Sequence, residues 1–144
     1  MKRIIYTRLD GGVSVVSPAL DTDEGLAAAQ AKLPADVINP KIVDFSVIPQ
    51  DRTFRNAWRQ NESLVQHDMP KCRDIWRGKL RELRRPKMAA LDVAYMQADE
   101  RGDTVEKARI AAEKQKLRDV TADPRIDAAV TPEALKAVMP VELT

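Results

Sequence analysis

Ile4-Ile5-Tyr6-Thr7-Arg8-Leu9-Asp10-Gly11-Gly12-Val13-Ser14-Val15-Val16 is the stretch on which the fold class turns. Two β-branched runs flank Leu9-Asp10-Gly11-Gly12, and Asp-Gly supplies the positive φ angles that a tight hairpin turn requires. Pro18 closes the second strand, because proline has no N–H to give to a ladder. In Asp21-Thr22-Asp23-Glu24, Asp21 with Glu24 three residues later has the spacing of a capping box, with acids at the positive end of the coming helix. Leu26, Ala29 and Leu33 share one face of that helix, and Pro34 stops it. Ile42-Val43-Asp44-Phe45-Ser46-Val47-Ile48 then alternates, with Val43, Phe45 and Val47 on one face, and Pro49 ends it. The order strand, strand, helix, strand predicts a ββαβ unit over residues 1–50, near the minimum for a sheet with one buried face.

Downstream the pattern changes. Residues 51–69 read as a connecting segment: Phe54 and Trp58, four apart, share one helical turn, Gln60-Asn61-Glu62-Ser63 is a turn, and Leu64-Val65 a last extended piece. From Pro70, the residues Trp76, Leu80, Leu83, Leu91, Tyr95 and Ala98 recur at helical spacing. Pro86 either kinks this helix or divides it in two. If continuous, residues 70–101 span roughly 45–50 Å at about 1.5 Å per residue. Gly102 is a natural C-terminal stop, and Asp103 with Glu106 offers a second capping box for a helix running to about Asp119. The short Gly-Asp link makes the two helices antiparallel neighbours, a helical hairpin over 70–120. The tail, 121–144, holds Asp123-Pro124 and then Thr131-Pro132, a cap followed by proline at the first helical position, which predicts a short helix ending before Pro140. The expected fold class is α+β: an N-terminal ββαβ unit, a helical hairpin arm and a short C-terminal helix.

Composition narrows the chemistry. The chain has 144 residues, 44% of them hydrophobic but only 4% aromatic, so aliphatic and alanine packing must carry the core. One cysteine excludes an intrachain disulfide framework, and one histidine excludes a His-rich metal site. No apolar run approaches the ~20 residues of a membrane span. Thr7, Arg8 and Asp10 break up the N-terminus too early for a signal peptide. The net charge of +2 hides a zoning: residues 1–50 carry −1, residues 51–87 carry +6 and residues 88–144 carry −3.

The basic zone is the most distinctive feature. Lys71, Arg73, Arg77, Lys79, Arg81, Arg84, Arg85 and Lys87 stand against only Asp74 and Glu82. Such a stretch is a solvated helix face, a phosphate-binding stripe with salt-sensitive affinity, or a docking surface for an acidic protein. Arg77, Arg81 and Arg84 share one side. Trp58 and Trp76 either fill the core or anchor an interface, where Trp and Arg concentrate binding energy. The partner-binding candidates are therefore Arg55, Trp58, Arg73, Trp76, Arg77, Arg81 and Arg84. His67 and Cys72, five apart, read as a surface imidazole and a reduced thiol, with a nucleophile pair or two metal ligands as the sharper alternative. Asp92, Asp99, Glu100 and Asp103 read as a solvated acidic helix end, with general acid–base work as the alternative. There is no phosphate loop, nucleophile elbow or His-Glu-x-x-His. No catalytic residue, cofactor or metal is expected.

Several segments resemble small proteins encoded in bacteriophage and prophage tail gene clusters. They are Gly11-Gly12-Val13-Ser14-Val15-Val16, Ile42-Val43-Asp44, Asp51-Arg52-Thr53-Phe54-Arg55-Asn56-Ala57-Trp58 and Asp68-Met69-Pro70-Lys71-Cys72-Arg73, then Leu91-Asp92, Gly102-Asp103-Thr104 and Lys114-Gln115-Lys116-Leu117-Arg118-Asp119-Val120. The Arg-rich helix, Leu-Asp and a helix ending in Leu-Arg-Asp are loosely similar to tail-fibre assembly chaperones, although Val93 follows Asp92 where the chaperone pattern has Trp. The resemblance implies a non-enzymatic interaction protein, either assisting tail-fibre assembly in the host cytoplasm or retained in the virion tail. It implies a tail or tail-fibre protein as partner and allows homo-oligomers. Nucleic-acid binding through the basic helix at 71–87 is the alternative.

Overall fold

The opening hairpin forms through a three-residue loop. In the computed structural model, which describes residues 1–144, strands β1 (Lys2–Thr7) and β2 (Val13–Val16) pair antiparallel, with Ile5 opposite Val15 and Thr7 opposite Val13. Arg8 and Gly12 face each other across Leu9-Asp10-Gly11, and only Gly11 has positive φ, at +83°. This is a turn ending in a left-handed glycine that closes with a bulge, the next most common hairpin after the two-residue type. The Gly12 N–H donates to Asp10 Oδ1 at 2.8 Å, and that bond, with Arg8 alongside, holds the carboxyl below its usual range.

Helix α1 (Asp23–Ala31) is capped one residue later than the expected box: Thr22 Oγ1 accepts from the Gly25 N–H at 3.0 Å, while Asp21 pairs with Arg3 at 2.8 Å. A Cβ on Gly25 would stand 2.1 Å from the Leu20 carbonyl oxygen, a backbone atom that cannot give way cheaply. Gly25→Ala should therefore destabilise the first unit by about 1–3 kcal/mol, the range of an overpacked site.

Strand β3 (Ile38–Asp44) lies several residues earlier than the alternating run at 42–48 suggests. The Asp44 side chain accepts from the Ser46 N–H at 2.9 Å and starts a 3-10 turn over Phe45–Val47. This local bond competes with continued ladder pairing, as Asp commonly does, so β3 ends at Asp44 and one last bond, from the Phe45 N–H to the Met1 carbonyl at 2.8 Å, closes the ladder. β3 pairs with β1, giving the order β2-β1-β3. An extra residue around Asn39 (φ +50°) and Pro40 makes a bulge, tolerated because β3 is an edge.

The expectation of one buried face is also corrected. Ile4 (1% exposed) and Ile5 (0%) are neighbours on β1 and point to opposite faces, so both faces of the sheet are covered. α1 packs along β1 through Leu26. Against the other face, Ile5, Val13 and Val43 pack with Ile48 and Trp58. Trp58 belongs to a second hairpin, β4 (Trp58–Asn61) and β5 (Leu64–His67), turned at Glu62-Ser63 with Glu62 at φ +52°. Gln60 fastens it: Thr7 Oγ1 donates to Gln60 Oε1 at 2.9 Å, and Gln60 Nε2 donates to the Asn39 carbonyl at 2.7 Å. Phe54 and Trp58 do not share a helical turn. Phe54 precedes a 3-10 turn at Arg55–Ala57 and Trp58 begins β4, and both are buried. Residues 51–69, expected as a connection, are thus part of the first of two compact units, Met1–Lys71 and Cys72–Thr144.

Pro86 neither ends nor divides the long helix: α2 is continuous from Met69 to Glu100, roughly 48 Å at about 1.5 Å per residue. It stops at Gly102 (φ +66°), where the Asp103 N–H reaches back to the Ala98 carbonyl and the Gly102 N–H to Asp99, the paired bonds of a Schellman cap. Asp103 then caps α3 (Thr104–Asp119), accepting from the Glu106 N–H at 3.0 Å. Glu106 does not return the bond; its carboxylate pairs with Arg109, which lowers its pKa. The tail carries two short helices where one was expected, α4 (Pro124–Ala128) and α5 (Pro132–Lys136). Each is a cap followed by proline: Asp123 accepts from the Arg125 N–H and Thr131 Oγ1 from the Ala134 N–H. The result is an α+β fold. No helix is long and apolar enough to cross a membrane.

Candidate functional site

The side chains of α2 are where the sequence places most of the candidate binding residues, and the second unit gives them three different surroundings. Cys72, Trp76 and Leu80 are buried along one face, joined further on by Ala98. α3 returns along the C-terminal half, tied by Lys107–Asp99 and Lys114–Asp92 ion pairs with both ammonium groups over the Tyr95 ring at 5.5 and 5.7 Å. The hydrogen bond from Lys107 to Asp99 raises the lysine pKa. Beyond α3 the tail follows the N-terminal half of α2, with Val120, Ile126, Ala129, Leu135 and Val138 buried.

Three of the candidate arginines hold the end of α3 and that tail. Arg84 Nη1 donates to the carbonyls of Leu117 and Arg118, at 3.2 and 3.0 Å. These are among the last carbonyls of α3, which have no partner within their own helix. Arg77 Nε donates to the Thr121 carbonyl at 3.3 Å, and its Nη2 pairs with Asp127 at 2.6 Å. Arg73 Nη2 donates to the Ala129 carbonyl at 2.9 Å. Trp76 joins the same ladder, its Nε1 donating to the Val138 carbonyl at 2.9 Å. Planar guanidinium forks suit this work, reaching several acceptors over apolar stems. Arg73, Arg77 and Arg84 are therefore neither a free phosphate stripe nor a solvated face. They close the second unit on itself.

The remaining candidates divide cleanly. Trp58 is 2% exposed, and with Trp76 also buried neither indole is an open anchor for a partner. The size of the rings in an aromatic-poor chain decides this: they are the largest apolar surfaces available to the two units. Arg55 is exposed in its 3-10 turn. Arg81 parts from Arg77 and Arg84 and stands exposed without an ion pair, as do Lys79, Arg85 and Lys87. The acids of the helix end have separate tasks: Asp92 and Asp99 pair with lysines of α3, Asp103 caps it, and Glu100 is exposed and unpaired. His67 pairs across the second hairpin with Trp58, and Cys72 is fully buried. Asp123 shows the tail's own electrostatics: Arg125 bonds its carboxylate and holds its pKa below the ordinary value.

Sequence reasoning missed the outward face of the C-terminal half of α2, where Val93 (52% exposed) and Met96 (61%) lie in line with exposed Pro86 and Ala89. Their spacing from Pro86 onward was the available signal. Gly78 also lies on the solvent side of α2, and a Cβ there would meet nothing within 4 Å. Gly78→Ala is expected to stabilise the second unit by about 1 kcal/mol, read as a rise in unfolding midpoint. With Gly25→Ala moving the other way, the two substitutions separate helix propensity from steric need.

Comparison of the chain with protein-family models, with curated proteins and with solved structures finds no match.

Proposed function

We propose that the protein works by contact rather than catalysis, as a bacteriophage tail-associated interaction protein that assists tail-fibre assembly or serves as a small tail subunit. The resemblance of its segments to tail-cluster proteins supports the tail setting. The observation that carries the contact role is the set of bases along α2, Lys79, Arg81 and Lys87, that stay exposed and unpaired on different sides of the helix. Free cations on a helix held by its own unit suit an acidic protein surface, steering encounter and fixing register. The setting is the host cytoplasm during assembly, and for a retained subunit the virion tail.

Co-expression with tail and fibre proteins is the test. A tail or fibre protein should co-purify, and Lys79→Glu with Arg81→Glu should weaken the complex by about tenfold or more at low salt without lowering the unfolding midpoint. Binding to none of the tail-cluster products would defeat the reading. Mass spectrometry of finished particles separates its two forms, since an assembly chaperone is absent from them and a subunit is present. The nucleic-acid reading keeps only the bases not engaged by tail carbonyls. It predicts a loss of affinity of about several hundredfold between about 50 and 200 mM salt if the five bases left, Lys71, Lys79, Arg81, Arg85 and Lys87, each contact a phosphate.

A further inference from the structure

We propose that the outward stripe of α2 pairs antiparallel with the same stripe of a second copy of this chain, in a two-helix contact centred on Val93. Pro86, Ala89, Val93, Met96 and Glu100 follow one another at intervals of three and four residues, the seam repeat of a two-stranded coiled coil. At about 100° per residue they fall within an arc of roughly 80°, and all five are exposed. The Asp92–Lys114 and Asp99–Lys107 pairs and the buried Ala98 place α3 on another side of the helix, so nothing in the second unit covers this one.

Two complementarities choose the occupant and its direction. The first is shape. An antiparallel pairing about Val93 sets Met96 of one copy over Ala89 of the other, a long side chain on a small one, at both ends of a central Val93–Val93 contact. A parallel pairing stacks Met96 on Met96 and leaves Ala89 facing Ala89, with a gap between the helices. The second is charge. Arg85 at one end of the stripe and Glu100 at the other have no ion-pair partner within the chain. The antiparallel pairing brings Arg85 of each copy to Glu100 of the other, whereas the parallel one opposes like charges at both ends. The stripe is only about 21 Å long, short of what a standard interface of about 1,600 Å² needs, so the pairing is reversible and concentration-dependent. It does not rest on the identity of any tail partner, and purified protein alone tests it.

Sedimentation equilibrium of the full chain, from micromolar to millimolar concentration, is the experiment. The apparent mass should rise toward twice the monomer's 16.1 kDa, and Val93→Glu with Met96→Glu should hold it at the monomer value throughout. Arg85→Glu alone and Glu100→Arg alone should each weaken association about tenfold, and the two together should restore it to within about threefold. All four positions are exposed, so unchanged unfolding midpoints exclude misfolding as the cause. A chain that stays monomeric over the whole range overturns the proposal, as does association that survives Val93→Glu with Met96→Glu. Failure of the double charge exchange to restore association overturns the antiparallel arrangement.

Discussion

Trp58→Ala is expected to cost the first unit about 3–5 kcal/mol, the usual range for removing a large aromatic from a packed core. That is a large part of the stability of any small domain. The indole is 2% exposed and packs with Ile5, Val13, Val43 and Ile48, so its loss removes the largest side chain covering that face of the three-stranded sheet. Without the indole the β4–β5 hairpin keeps Val65, the Lys41–Glu62 pair and the Gln60 hydrogen bonds, and a hairpin with little core is marginal in water. Trp58→Phe should behave differently. The Trp58 Nε1 N–H is buried without a hydrogen-bond partner, a defect that costs about 1–3 kcal/mol. Phenylalanine removes that group while keeping most of the apolar surface, so the net change should stay within about 1.5 kcal/mol. Urea unfolding monitored by far-ultraviolet circular dichroism measures both. A loss for Phe well above about 1.5 kcal/mol would mean that the indole N–H is satisfied in solution.

Pro86→Ala should act in the opposite direction on the second unit and raise its stability by up to about 3 kcal/mol. Proline in a helix interior removes one backbone hydrogen bond and presses its ring on the preceding turn. Here α2 runs unbroken through Pro86 and the ring is exposed, so no packing is lost when it is removed. The alanine variant should unfold at a higher midpoint with an unchanged denaturant slope, because the surface exposed on unfolding stays nearly the same. A midpoint at or below that of the natural chain would show that the ring is used in packing. The same variant keeps a small residue in the outward stripe, so its self-association should not fall.

What could be read from the sequence is what is signalled locally. The first hairpin announces itself through Asp10-Gly11-Gly12 between β-branched runs. The α2–α3 hairpin does so through Gly102-Asp103, where the stop of one helix and the cap of the next are adjacent residues. The shifts at α1 and β3 have one cause: a short polar side chain took a nearby backbone N–H, Thr22 rather than Asp21 in one case and Asp44 in the other. β4–β5 was legible only in part, because its turn places a glutamate, not a glycine, at positive φ. The arginine ladder was not legible at all. Apart from Asp127, its acceptors are main-chain carbonyls, which leave no mark in the residue sequence, so Arg73, Arg77 and Arg84 look the same as Arg81 until the tail is in place.

The ladder also bears on when the second unit can take shape during synthesis. Its donors lie in the first half of α2, whereas their acceptors follow 33 to 62 residues later. A ribosome delivers Cys72, Trp76 and Leu80 well before Ile126, Leu135 and Val138, the buried residues of the tail that the ladder holds to α2. Until those arrive, α2 presents an apolar face and a row of unanswered guanidinium groups. Non-local closure of this kind is slow compared with helix formation, so the nascent chain passes through an interval in which that apolar face is open to association. The segment from Leu117 to Val138, once it arrives, covers that face and ends the interval.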